Sequence, residues 1–411
     1  MTASTYYPFS DPLSRLIQRG AWGTMLWVAL CPSALYGVEL PVNLQFHGFA
    51  SQAFIWTSDN DFFGESEDSG TFDFRELGVN SSWQALPNLR LSLQLVARWA
   101  GAGDDGSPRV DFGFIDYSLL SDADNLWGVR LGRIINPLGL YNDTRDVAFT
   151  RPSILLPQSI YFDSARNLAL SADGIQLYGE RRTAIGDFFF QVNGGLPRVE
   201  DPEFEREIFT EDVPGSLEAE PSLIGRLRYE RDGGLIRLAL TGGQINADYD
   251  PRRPIDPLGA GSFRFEPWIL SAQYNAERWS MTGEFALRRT RLKDFGSALP
   301  DVRFTGESYY LQATYRFTPR WEGMLRYDVL YIDRDDRDGD AFAAATGSPA
   351  HSRFAKDLTV GLRWDITPSL MLRAEFHHID GTGWLPIVDN PDVIATERRW
   401  NLFSILASYR F

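Results

Sequence analysis

Apolar and polar side chains alternate one by one through long stretches of this chain. Within 308–317, Tyr309, Leu311, Ala313, Tyr315 and Phe317 alternate with Ser308, Tyr310, Gln312, Thr314 and Arg316. The next stretch repeats the pattern, with Trp321, Gly323, Leu325, Tyr327, Val329 and Tyr331 against Glu322, Met324, Arg326 and Asp328. Leu358 to Trp364, Leu370 to Phe376 and Phe403 to Phe411 follow the same rule. A period of two belongs to a β-strand whose faces meet different surroundings. It predicts sixteen strands, near 42–56, 72–84, 88–100, 108–119, 126–134, 172–181, 186–194, 222–230, 234–245, 263–276, 279–292, 305–318, 321–333, 353–366, 369–380 and 398–411.

The apolar faces begin or end in Trp, Tyr or Phe. A soluble sandwich would fill its inner face with interlocking Val, Ile and Leu. Aromatic ends instead match the girdles that sit at the two interfaces of a membrane. The connections support this reading. Leu86-Pro87-Asn88, Arg231-Asp232-Gly233, Ala276-Glu277-Arg278, Thr318-Pro319-Arg320 and Thr367-Pro368-Ser369 are tight. Stretches 57–71, 135–171, 195–221, 246–262, 293–304, 334–352 and 381–397 are long. Tight and long alternate, except for a short link near 101–107. That is the rhythm of short periplasmic turns and longer outer loops. The expected fold is therefore all-β: a 16-stranded antiparallel transmembrane barrel, with both termini on the periplasmic side.

Composition narrows the function. Over 411 residues, 55 acidic side chains face 40 basic ones, a net charge of −15. A nucleic-acid binder needs a basic face, so that class is excluded. Arg15 and Arg19 precede an uncharged apolar stretch from Ala21 to Leu35, followed by small residues. This predicts a secretory signal over 1–37, removed to leave a barrel over 38–411. The lone cysteine, Cys31, lies in that leader, so no disulfide or cysteine metal site is expected. No other stretch approaches the ~20 apolar residues of a spanning helix. Phe411 ends the last alternating strand. A terminal aromatic there is a feature of bacterial outer-membrane proteins and is expected to engage their assembly machinery.

One connection differs from the acidic others. Stretch 135–171 contains Ile154, Leu155, Leu156, Ile160, Tyr161 and Phe162, which a solvated outer loop would not need, so something must bury them. It also carries Asp143, Arg145, Asp146, Arg151, Asp163 and Arg166. Two readings are open for these charges. They line a narrow water path and order polar solutes across it, or they pair with one another and hold the loop's shape.

The run Val129-Arg130-Leu131-Gly132-Arg133, followed by Asn136-Pro137-Leu138-Gly139-Leu140-Tyr141-Asn142, resembles the phosphate-selective porin O/P family of proteobacterial outer membranes. The resemblance implies a homotrimer of sixteen-stranded barrels passing small solutes, often anions. It also implies that the long loop after strand five folds into the lumen as a constriction. Arg130, Arg133, Arg145, Arg151 and Arg166 are then the residues expected to meet an anion, with Asp143, Asp146 and Asp163 in the same constriction. The chain departs from that family in its charge. It has two lysines, Lys293 and Lys356. Its inward positions carry eleven arginines, from Arg90 to Arg373, against ten acids, from Glu76 to Glu375, with a bulge in strand four able to move two of the acids. No sign of ion preference follows.

Other chemistry finds little support. Stretch 333–340 reads DRDDRDGD, but an EF-hand centred on Gly339 would need an acid at Arg334 and a glutamate at Ala345. His377 and His378 fall on opposite faces of one strand and cannot share a metal. Hydrolase and nucleotide motifs are missing, so no enzyme, cofactor or metal is expected. The expected function is passive diffusion of small hydrophilic solutes across a Gram-negative outer membrane, with lipid and lipopolysaccharide around the barrel. A closed barrel with a structural or adhesive role, and a substrate-specific uptake channel, are the competing readings.

Overall fold

In the computed structural model, residues 43–411 are described, apart from 68, 165, 200, 201, 210 and 211. The expected leader 1–37 and Cys31 lie outside the described residues. Sixteen long strands follow: β1 (Leu44–Thr57), β2 (Phe74–Leu86), β3 (Leu89–Ala100), β4 (Arg109–Ser121), β5 (Asn125–Ile135), β6 (Ser171–Thr183), β7 (Gly186–Pro197) and β8 (Ser216–Arg231), then β9 (Ile236–Asp250), β10 (Ser262–Asn275), β11 (Trp279–Lys293), β12 (Val302–Thr318), β13 (Trp321–Tyr331), β14 (Phe354–Asp365), β15 (Leu370–Asp380) and β16 (Arg399–Arg410). Each pairs with its neighbours in the chain, and β1 also pairs antiparallel with β16, from Phe49 opposite Arg410 to Thr57 opposite Leu402. The sheet is thus closed into a barrel with no free edge. Three short helices lie in the long connections: α1 (Arg166–Leu170), α2 (Pro202–Phe209) and α3 (Asp340–Thr346).

The alternation sorts side chains as the sequence predicts. Leu131, Leu223, Leu270 and Leu325 point outward and are more than half exposed. In water such a belt would aggregate; in hydrocarbon it is at rest. Aromatics flank the tight turns on this outer face: Tyr274 stacks on Trp279 at 5.1 Å across one turn, and Trp321 stacks on Trp364 at 5.2 Å across neighbouring strands. No helix among the described residues is long and apolar enough to cross a membrane. The strands do the crossing.

Two departures from a regular ladder matter. The short link after β3 is held by a two-residue strand, Asp104–Asp105, that folds back on Trp99. The register between β3 and β4 then slips between Gln94 and Leu95, leaving Asp111 as the extra residue. This is the bulge in strand four. It lets Asp111 and Asp116 both turn inward despite their odd spacing, and Gln94 Nε2 donates to Asp111 Oδ2 at 2.7 Å.

The inner wall is tightly filled beside the closing seam. Phe49 of β1 is buried against Gly78 of β2, where an added Cβ would lie 2.2 Å from the ring. Gly78→Val is expected to cost about 1–3 kcal/mol through overpacking, read as a lower urea midpoint for the heat-modifiable barrel. Adding Phe49→Ala should recover part of that loss.

Candidate functional site

The segment between β5 and α1 is stapled at its base. Asn136 N–H donates to Leu170 O at 2.9 Å, and Asn142 Nδ2 donates to the carbonyls of Asn136, Ala169 and Leu170. Gly139 follows with a φ of 56°, where a Cβ would lie 2.4 Å from the Tyr161 hydroxyl. Glycine permits that left-handed turn and the close approach together.

From its base between β5 and β6 the segment bonds along an arc of wall that runs from β8 to β15. Toward one end of that arc Glu284 of β11 accepts from Leu140 N–H at 3.0 Å, Tyr161 OH at 2.5 Å, Tyr310 OH at 2.8 Å and Ser271 Oγ at 2.5 Å. Arg226 of β8 donates to Gly139 O at 2.6 Å. Toward the other end Glu375 of β15 accepts from the backbone N–H of Ile154 at 2.5 Å and of Leu155 at 3.3 Å. Arg326 of β13 donates to Leu155 O at 3.0 Å, and Arg373 of β15 donates to Arg151 O at 2.9 Å. All these wall residues occupy inward registers. The apolar residues that needed burial find it here. Ile154 and Leu155 pack with Met371, Trp384 and Trp400, while Leu156, Ile160 and Tyr161 pack with Ile224, Ile269 and Ala286.

The candidate charges divide into three groups. Arg145, Asp146, Arg151, Asp163 and Arg166 are enclosed and paired. Asp163 accepts from Arg98 at 3.1 Å and Arg145 at 3.4 Å, with Arg166 at 3.9 Å. Asp146 pairs with Arg166, and Arg151 meets Glu76 of β2 at 2.7 Å. Here charges pair with one another and with the wall, rather than facing open water. Arg130 and Asp143 stay partly accessible. Arg130 reaches Asp116 at 3.1 Å and lies over the Tyr178 ring at 4.6 Å, while Asp143 pairs with Arg226. Arg133 forms the third group and requires a correction. It shares the register of outward-facing Leu131, opposite Gly113 and Asp173, and its guanidinium binds the Asp173 carboxylate bidentately at 2.7 Å. An outward register removes it from the lumen.

Sequence reasoning missed several residues beside this segment. His377 of β15 is buried, with Nδ1 2.8 Å from Asp357 and Nε2 3.6 Å from Glu375, the carboxylate that holds the segment. Its inward register was readable, but its partner Asp357 lies on a different strand. The acidic run 333–340 has a local role, since Asp336 accepts from the N–H groups of Ala341 and Phe342 at the start of α3. Among the described residues no group of three or more His, Cys, Asp or Glu is placed to hold a metal ion.

Two cavities adjoin the segment. One, of about 630 Å³, opens toward the tight turns and is lined by Tyr141, Arg151, Arg237, Gln273, Glu322 and Arg363. The other, of about 440 Å³, lies among the long connections and is lined by Phe162, Arg288, Arg353, Trp384 and Thr396. His351 ties two of those connections together, its Nε2 lying 3.1 Å from Thr396 O and 3.2 Å from Thr396 Oγ1.

Two outcomes test this arrangement. Arg151→Met leaves Glu76 buried near Arg98 alone and is expected to cost about 3–5 kcal/mol, read by urea unfolding. Joint replacement with Glu76→Gln should cost less. For His351, burial is the largest influence and lowers the imidazole below its ordinary value; Arg398 acts the same way, while Glu397 and Asp380 oppose it. A folded value below the unfolded one stabilises above the unfolded value and is lost as pH falls through the folded one. Protection of 381–398 against hydrogen exchange, corrected for the intrinsic rate at each pH, should therefore fall as pH drops below the ordinary imidazole range, and His351→Gln should flatten that dependence.

No protein-family model matches this chain, and no curated protein sequence does either. Solved structures do match in fold. The anion-selective porin of Comamonas acidovorans has a TM-score of 0.56 at 13% identity, covering 90% of this chain and 99% of its own. OmpF of Salmonella typhi, solved with daunomycin, has a TM-score of 0.56 at 13% identity, covering 90% of this chain and 97% of its own. OmpT, an outer-membrane protein of Vibrio cholerae, has a TM-score of 0.55 at 10% identity, covering 90% of this chain and 97% of its own. The fold is that of the Gram-negative outer-membrane porins. The likeness does not single out the phosphate-selective members.

Proposed function

We propose that this chain is an outer-membrane porin, a passive diffusion channel for small hydrophilic solutes, with 135–171 as its constriction. One observation carries the reading: the segment leaves the wall between β5 and β6 and bonds to inward side chains of β8, β11 and β15 and of β13, the last eight strands from β5 in a ring of sixteen. A chain that starts at one side of a ring and is tethered at the other crosses the space between them. It narrows the water path without needing a second domain. Cavities of about 630 and 440 Å³ adjoin it, as a path with a central waist requires.

Within this reading, Arg130 and Asp143 are the accessible charges at the waist, with Arg226 behind Asp143. Arg145, Asp146, Arg151, Asp163 and Arg166 shape the constriction by holding it. Anion preference rests on the porin likeness and on Arg130. The protein acts as a homotrimer in the outer membrane, surrounded by lipid and lipopolysaccharide, and reaches it through the assembly machinery that reads Phe411. The leader 1–37 is removed beforehand.

A closed structural barrel is the competing reading, favoured by how many loop charges are already paired. Planar-bilayer recording under a salt gradient separates the two. A porin gives stepwise conductance in threes, and the sign of its reversal potential gives the ion preference. Deleting 143–166 should raise the conductance of each step. Silence from a folded, heat-modifiable barrel would overturn the channel reading.

A further inference from the structure

Most inner-wall arginines have a strong acceptor. Arg98, Arg130, Arg237 and Arg363 each lie within 3.1 Å of a carboxylate, and Arg326 and Arg373 donate to the carbonyls of Leu155 and Arg151. Arg288 and Arg353 differ: among the described residues neither guanidinium makes an ion pair with a carboxylate or a hydrogen bond to a carbonyl. Arg288 of β11 donates to the Ser308 hydroxyl and lies 5.4 Å from the Phe162 ring centre. Arg353, just before β14, lies 4.3 Å from the Phe342 ring centre and 5.9 Å from that of Phe304. Asp328 acts on Arg288, and Asp333 and Asp336 act on Arg353, only through space.

Both guanidiniums line the cavity of about 440 Å³, and no aspartate or glutamate lines it with them. Its other walls are aromatic and aliphatic: Phe162, Phe265, Phe304, Phe342 and Trp384 among them. Trp384 is buried and packs edge-on against Phe62 at 5.4 Å, so this wall is fixed from behind. Ser352, Thr290 and Thr382 add hydroxyls. Two cations with no carboxylate in contact, set among rings, pose a definite demand. A guanidinium prefers a carboxylate that can accept two parallel hydrogen bonds. The rings prefer a flat apolar body. A neutral aromatic leaves the cations unmatched, and a small hydrated anion leaves the rings facing water.

We propose that this cavity is a binding site for small aromatic carboxylates, with Arg288 and Arg353 holding the carboxylate and the surrounding rings holding the body. Its volume falls in the range of ordinary small-molecule sites. The proposal rests on the channel reading only for how the solute arrives, since binding itself needs no conduction.

The test uses the full folded chain in detergent micelles and calorimetric titration with benzoate, benzamide, acetate and inorganic phosphate. Benzoate should bind about ten-fold or more tighter than the other three. Arg288→Gln and Arg353→Gln should each weaken benzoate by about ten-fold or more, while Arg320→Gln, in the turn between β12 and β13, should not. Heat-modifiability shows that each variant has folded, and the wild-type comparison of probes stands without them. Benzamide equal to benzoate would reduce the site to an apolar pocket and overturn the proposal. Acetate or phosphate equal to benzoate would reduce it to a plain anion site and overturn the proposal equally. Benzoate binding to a barrel silent in bilayers would sink the channel alone; conduction without benzoate binding would sink the site alone.

Discussion

Every structural choice in this chain answers to one constraint. Within hydrocarbon no water is available to satisfy a backbone N–H or C=O, so each must find its partner in the protein. The ladder between β1 and β16 completes that requirement by removing the last pair of edges. Closure fixes which way each side chain faces, because one residue of slip would exchange the two faces. The outward register can then be given over to leucine and aromatic rings. The inward register takes most of the charge, and it is crowded with arginines and acids that must be arranged among themselves.

The segment 135–171 is what those charges are arranged around. Glu284, Glu375 and Glu76 each take donors from it, and Asp163 gathers guanidiniums from both the wall and the segment. Buried ion pairs add little net stability, because desolvation offsets most of their attraction. Their value here is positional. Removing one partner strands the other, so the segment has one docked arrangement rather than many. A segment held in one arrangement has a defined shape, which a loosely tethered one would lack.

The sixteen strands were legible because two independent signals agreed on them: the period of two and the aromatic residues beside each tight turn. The irregular strand was legible only as a doubt, since Asp111 and Asp116 cannot both turn inward without an extra residue. The need of segment 135–171 for burial announced itself through Ile154, Leu155 and Tyr161, which pack in apolar clusters with wall residues. Its charges were harder. Three acids and three arginines suggested pairing, yet the wall partners that matter, Glu76, Arg98 and Arg226, are far away in the chain and become neighbours only through the ring. Arg133 was misplaced against a readable signal, for Leu131 two residues earlier already faces outward. Arg288 and Arg353 were invisible as a pair, because an unpaired cation is defined by what fails to surround it.

Glu76 lies on the second strand and Glu375 on the fifteenth, and the same short stretch from Arg151 to Leu155 hangs on both. Those two anchors come together only after the ends of the chain have met. The stretch is made early in sequence order but cannot seat until the seam between first and last strands has formed. Its two-point docking is therefore a consequence of closure: a barrel without that seam has no fixed distance between the two anchors for the stretch to fit.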